Sequence, residues 1–227
     1  MIFLTGDTHG DIDIGKLKPE HFPAGDHLQK SDYVIILGDF GFIWDPVESE
    51  NERTWLNWLE ECPWTSLFLE GKHENCGRLT TFPIEQWHGG TVQRIRSSVI
   101  HLMRGQIYDI EGLSFFVMGG ARSSDINQRR KGISWWPEEE PSQNEYQEAF
   151  RNLEEHNCQV DVILTHELPT KQLKELAPYQ DAYELTDFLN SVRKGVEYQK
   201  WYCGHHHVDK GLSENIWVMY DDIIALE

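Results

Sequence analysis

The sequence predicts an α/β fold with mixed β-sheet, and three observations predict it. Short apolar runs rich in β-branched and aromatic residues recur along the 227-residue chain and end in Gly, Asp or His, as buried strands do. Amphipathic helical patterns fall between several of them. One pair of runs, Gln106–Ile110 and Leu113–Met118, flanks Glu111-Gly112, a tight-turn signal that adds antiparallel pairing to the parallel arrangement.

Taken in order, the remaining strand runs are Ile2–Thr5, Tyr33–Leu37, Ser66–Leu69, Val99–Met103, Val160–Leu164, Trp201–Cys203 and Ile216–Tyr220. A first helix starts at the capping box Ser49/Glu52 and presents Trp55, Leu56 and Leu59 on one face. A second starts at Ser142/Glu145 and presents Tyr146, Ala149, Phe150 and Leu153. A third carries Leu185, Phe188, Leu189 and Val192 at i, i+3, i+4, i+7. The chain reads as a single domain, 1–227. A polar segment, 122–141, reads as a long ordered loop or small cap that carries Arg122, Arg129, Arg130, Lys131 and Trp135-Trp136.

Composition bounds the function. Lys plus Arg number 20 and Asp plus Glu 38, a net charge of −18, so duplex nucleic acid is not an expected partner. A phosphorylated substrate remains compatible, because a bound divalent metal reverses the local field. No apolar run reaches the ~18 residues of a membrane span, and the first residues, ending in Asp7, do not read as a signal peptide. The expectation is a protein with no membrane partner. Cys62, Cys76, Cys158 and Cys203 form no CxxC pair, which points to reduced thiols and a cytoplasmic location.

The chemistry collects at strand ends. Asp7 and His9 follow the first run, Asp39 the second, Gly71-Lys72-His73-Glu74 the third, His166 the run at Val162–Leu164, and Gly204-His205-His206-His207 the run at Trp201. In open α/β sheets, ligands bind beyond the carboxyl ends of strands. Mixed imidazole and carboxylate donors suit manganese, iron, cobalt, nickel or zinc better than calcium. His21, His27, His88, His101 and His156 read as surface or hydrogen-bonding residues, and His206 as pointing away from its neighbours.

This ordered series resembles that of the calcineurin-like metallophosphoesterases: D-x-H, G-D, G-N-H-[DE], H and G-H-x-H, matched from Asp7 to His207. The resemblance implies a four-layer αββα sandwich with two mixed β-sheets. It implies two divalent metal ions, one held by Asp7, His9 and His207, the other by His166 and His205, with Asp39 bridging them. It implies hydrolysis of phosphate esters by a metal-activated hydroxide, with His73 as acid to the leaving group, Glu74 and Asp45 being candidates to orient that imidazole. The substrate would be a phosphorylated small molecule or a phosphoprotein. Arg122 is a candidate phosphate contact. The Asp-Arg-Gly of the protein-phosphatase branch is absent after Asp39, which argues against a phosphoprotein.

One position departs from the pattern. Lys72 stands where the family has an Asn ligand of the second metal, and an ammonium has no lone pair with which to ligate. Three arrangements are open: one metal only, a neutral amine as ligand, or a side chain swung clear. Two alternatives to the hydrolase follow, a catalytically impaired binder of phosphorylated ligands and a nucleotide phosphodiesterase.

Overall fold

The computed structural model describes residues 1–226. The strands in chain order are β1 (Ile2–Thr5), β2 (Tyr33–Ile36), β3 (Thr65–Phe68), β4 (Ile84–Trp87), β5 (Gly90–Arg96), β6 (Val99–Leu102), β7 (Ile107–Ile110), β8 (Leu113–Met118), β9 (Val162–Thr165), β10 (Lys200–Cys203), β11 (Lys210–Leu212), β12 (Ile216–Val218) and β13 (Ile223–Ala225). The helices are α1 (Glu50–Glu61), α2 (Cys76–Leu79), α3 (Gln143–Glu155), α4 (Thr170–Leu176) and α5 (Glu184–Gly195).

Two mixed sheets result. One has seven strands in the order β13-β1-β2-β3-β6-β5-β4, the other six in the order β11-β12-β10-β9-β8-β7. Each is parallel at its centre and antiparallel toward its edges.

Side chains alternate across both sheets with period two. Leu4, Ile35, Leu37, Leu67, Phe115, Val117, Leu164 and Tyr202 share one core with residues of both sheets. Their neighbours Phe3, Val34, Ile36 and Phe68 face outward with Leu56 and Leu59 of α1. Phe116, Ile163 and Trp201 face outward on the other side with α3, α4 and α5. Burial on both faces explains why these strands are continuous apolar runs. The layers are helix, sheet, sheet, helix, an α/β sandwich as expected.

Both capping boxes form: the Ser49 and Ser142 side chains accept from the backbone N–H of Glu52 and Glu145, and those carboxylates bond back. The hairpin β4–β5 and the strands β11 and β13 are additions to the sequence reading. Segment 122–141 holds two short 3-10 turns and one bridge, Lys131 to Trp135. The four cysteines are free thiols. Among the described residues, no helix is long and apolar enough to cross a membrane.

Registers position the site. Thr5 pairs with Ile36 and Ile36 with Phe68, so β1, β2 and β3 end level. Thr165 pairs with Cys203, so β9 and β10 also end level. Behind the loop after β3, buried Glu70 pairs with Arg104 and with His101 Nε2 at 2.8 Å. His101 Nδ1 in turn lies 2.9 Å from Gln93 Oε1. Arg104 also donates to the Glu139 carbonyl at 3.2 Å, tying the base of this loop to segment 122–141.

Candidate metal centre

The five strand-end loops bring seven side chains into one cluster. Asp7, Asp39 and His166 are fully buried. His9 Nε2 lies 3.7 Å from Asp7 Oδ2 and 3.4 Å from Asp39 Oδ2. His207 Nε2 lies 3.2 Å from Asp7 Oδ2, His166 Nε2 lies 3.3 Å from Asp39 Oδ1, and His73 Nε2 lies 3.8 Å from Asp39 Oδ2. The donor atoms of Asp7, His9 and His207 fall within 4.8 Å of one another, as do those of Asp39, His166 and His205. A third such set is His9, Asp39 and His73. These groupings place together the residues expected to hold each metal, with His73 beside both carboxylate-bearing sets.

Glycine makes the approach possible at two places. At Gly38, φ is +98°, and a Cβ there would overlap the His166 imidazole. At Gly71 a Cβ would overlap Asp39 Oδ1. Asp39 Oδ1 can then accept the backbone N–H groups of Lys72 at 2.6 Å and His73 at 3.0 Å. Four cluster residues adopt the left-handed conformation despite carrying a Cβ: His9, Asp39, His205 and His207, with φ of +45°, +45°, +70° and +50°. Such backbone occurs where surrounding structure imposes it.

The electrostatics favour a cation. Burial pushes Asp39 up, but the His166 charge, with the nearby His9 and His73 rings, holds it well below the usual carboxylate range. Burial pushes His166 down, yet Asp39 and Asp7 raise it to about 10. The two carboxylates thus retain a proton on His166 that a cation would have to displace. Burial drives His205 down to about 3 and His73 down to about 4, the Lys72 charge adding to both shifts. Neutral imidazole is the form that ligates.

Four sheltered polar atoms of the cluster have no hydrogen-bond partner: Asp7 Oδ2, Asp39 Oδ2, His166 Nε2 and His205 Nδ1. An unpaired buried polar group costs about 1–3 kcal/mol, so four in one cluster make a strong demand for a ligand. The residues present fit a pair of divalent first-row ions in donor type and in the number of free lone pairs. Once a cation displaces the second proton, His166 Nδ1, 2.8 Å from the Leu37 carbonyl, remains the donor there and Nε2 is the ring nitrogen free to accept.

Several supporting residues were missed by the sequence reading. His9 Nδ1 lies 2.7 Å from Asp13 Oδ2. Glu167 stands 3.7 Å from His205 Nε2 and 2.9 Å from His206 Nε2, and accepts from the Tyr183 hydroxyl at 2.8 Å. His206 therefore turns to the same Glu167 carboxylate as His205 and does not point away from its neighbour as expected, though it belongs to none of the three donor sets. Tyr220 stacks on the His207 ring at 4.7 Å, and Lys16 Nζ ties the Asp7 carbonyl, at 2.7 Å, to that of Tyr220. Asp13, four residues after His9, and Glu167, directly after His166, are acids whose proximity to a ligand was the available signal.

Other expectations need correcting. Glu74 does not orient His73; its carboxylate accepts from Gly41 and Gly71 N–H at 3.2 and 2.7 Å. Burial and the neighbouring Asp39 charge raise its pKa, and its two oxygens brace the Gly41 and Gly71 loops. Asp45 does not hold His73 either; its backbone N–H goes to Glu52 and its carbonyl to Arg78, both at 2.9 Å. His73 instead stacks on Trp44, whose edge meets Trp136 at 5.3 Å. Arg122 is not aimed at the cluster. Its guanidinium makes two 3.0 Å bonds to Glu140 and lies over the Tyr183 ring. The cationic loop residue whose charge bears on His73 is Arg129, held by Asp125 at 2.7 Å. No family model matches the chain, and neither does any curated protein.

Proposed function

We propose that this chain is a metal-dependent phosphoesterase of the calcineurin-like type. The observation that carries the reading is the convergence of four unpartnered buried atoms, Asp7 Oδ2, Asp39 Oδ2, His166 Nε2 and His205 Nδ1, on one cluster. Asp7, His9 and His207 would hold one ion and His166 and His205 the other, with Asp39 between them. Two such ions supply Lewis acidity toward a phosphoryl oxygen and a water acidic enough to act as nucleophile near neutral pH.

The chain's own residues supply orientation. Asp13 fixes the His9 ring and Glu167 backs His205, which keeps donor atoms in place before substrate arrives. His73 is neutral at pH 7 in the free protein, since burial holds it near 4. An arriving phosphate dianion within reach favours the imidazolium, so His73 would take up a proton from solvent as substrate binds and hold it for the leaving oxygen. Arg129, whose charge reaches His73, is the loop cation that would assist the phosphoryl oxygens.

Hydrolysis of 4-nitrophenyl phosphate should require an added ion such as manganese and vanish on exhaustive treatment with chelator. Restoring the ion should restore the rate. Full activity in metal-stripped protein would overturn the reading.

Lys72 favours the second reading, a binder of phosphorylated ligands without turnover, and gives a separate prediction. Its backbone N–H serves Asp39 as any residue could, while its charge opposes a cation beside His205. At an effective dielectric of ~20, a unit charge ~4 Å from a divalent ion costs roughly 8 kcal/mol before relaxation. A side chain turned outward still leaves a penalty in affinity. Lys72→Asn should therefore raise ion occupancy at Asp39, His166 and His205 and increase turnover by about tenfold or more. The set at Asp7, His9 and His207 should change little. Elemental analysis and kinetics on both forms check this, and equal occupancy and equal rates would refute the repulsion argument.

A further inference from the structure

A cleft of about 310 Å³ opens directly off the cluster, with His9 and His73 at its inner end. These two imidazoles flank Asp39 Oδ2, which is fully buried and unpartnered. The cleft thus continues the reacting centre on the side of His73, the acid for the leaving group. Its volume lies at the lower limit of ordinary small-molecule pockets, ~300–1,000 Å³.

The walls are aromatic and acidic. Trp44 supplies ring surface, with Phe42 buried behind the wall, and Asp11 and Asp45 supply carboxylates. Glu52 also reaches the wall, but Arg78 neutralises it at 2.5 Å and it caps Trp44 and Asp45 N–H. The Asp45 carboxylate has no hydrogen-bond or ion-pair partner among the described residues, its backbone alone being engaged. Asp11 accepts one bond, from Asn51 at 3.2 Å. Among the described residues, no Lys or Arg lines the cleft.

We propose that this cleft receives the leaving group and selects one bearing an ammonium, so that the substrates are phosphate monoesters of small amino alcohols. The proposal rests on the phosphoesterase reading for its chemistry and on the cleft for its selectivity. Ring faces attract an ammonium through their quadrupole, and quaternary ammonium groups are bound in this way. Two carboxylates without a cationic partner add attraction for the same charge and repel an anionic leaving group. In the reaction the bond from phosphorus to the amino-alcohol oxygen breaks and the oxygen of a water takes its place. The leaving oxygen gains a proton, and free amino alcohol and inorganic phosphate are the products.

The experiment has two arms on manganese-supplied protein. In the first, tetramethylammonium is titrated calorimetrically into the parent protein, Asp45→Asn and the exposed-site variant Asp11→Asn. In the second, choline phosphate, glycerol phosphate and phosphoglycolate are compared by kcat/KM, as cationic, neutral and anionic leaving groups on primary alcohols. The expected result is saturable tetramethylammonium binding weakened by either substitution, with kcat/KM falling by about tenfold at each step from cation to neutral to anion. In Asp45→Asn that spread should narrow. Turnover with a flat or reversed order overturns the cleft proposal and leaves the phosphoesterase standing. Tetramethylammonium binding without turnover of any ester supports the cleft as an ammonium site and overturns the phosphoesterase reading. Neither binding nor turnover overturns both.

Discussion

Replacing Asp39 with Asn is expected to lower phosphate-ester turnover by three orders of magnitude or so, since removing even one preorganised donor from a reacting site costs on the order of 10²–10³-fold. The shape is kept and the charge is lost. Asp39 Oδ1 accepts two backbone N–H groups and faces His166, while Oδ2 faces His9 and His73. A neutral amide attracts a cation less than a carboxylate and offers one acceptor oxygen in place of two, so bound metal should fall as well. His73→Ala makes the contrast: it should leave bound metal unchanged and slow poor leaving groups most. Metal content by elemental analysis, paired with rates on an aryl and an alkyl phosphate, separates the two. An Asp39→Asn protein with full metal content and a rate within tenfold of the parent would refute the role given to Asp39.

The largest effect on stability is expected at Arg104. Its guanidinium is the main countercharge of the buried Glu70 carboxylate. Removing one partner of a buried pair strands the other, at about 3–5 kcal/mol. For a chain of this length each kcal/mol moves the melting temperature by roughly 2–4 °C, so Arg104→Ala should melt on the order of 10 °C lower. Arg104→Met with Glu70→Gln should recover much of the loss, because no unpaired charge remains. The pH dependence follows from the same pair. Burial pushes Glu70 up, but Arg104 and His101 bring it down to about 2. A depressed acid contributes stability above its unfolded value near 4.5 and loses it as pH falls toward 2. Acid titration of the melting temperature should therefore steepen below pH ~4.5 in the parent and flatten in the double variant. A single variant that melts with the parent would show that the network adds no stability.

What could be read from the chain follows from how each feature is built. Asp7, Asp39, His166 and His205 announce themselves because each ends an apolar run buried on both sheet faces. The hairpin β4–β5 escaped because it lies at a sheet edge, where Ile84 is 61% exposed and Glu85 pairs with Arg94 across the strands. Edge strands need not be apolar, so a search for apolar runs passes over them. Strand β13 is three residues long and partly exposed for the same reason. Lys16, Tyr183 and Tyr220 support the site through contacts that join distant parts of the chain, and no local spacing marks such partners. Arg122 and Arg129 lie in one loop, and each is held by its own acid, Glu140 or Asp125, a pairing that the loop sequence alone does not mark.

The left-handed backbone at His9, Asp39, His205 and His207 bears on how a chain with this site would drift if the proposed activity were not under selection. Each of these positions holds a residue chosen by chemistry in a conformation that costs an L-residue about 1 kcal/mol, and one that Asn or Gly adopts more readily. Random substitution would then be rewarded locally: an inert descendant could become sturdier by discarding its donor atoms one at a time. His207 is the position where this is simplest to observe, being about half exposed and packed chiefly on Tyr220. His207→Asn should melt no lower than the parent in metal-free buffer, and a drop of several degrees would show that the imidazole earns its place by packing alone. On the proposed reading, these four positions trade local stability for donor atoms, as reactive sites commonly do.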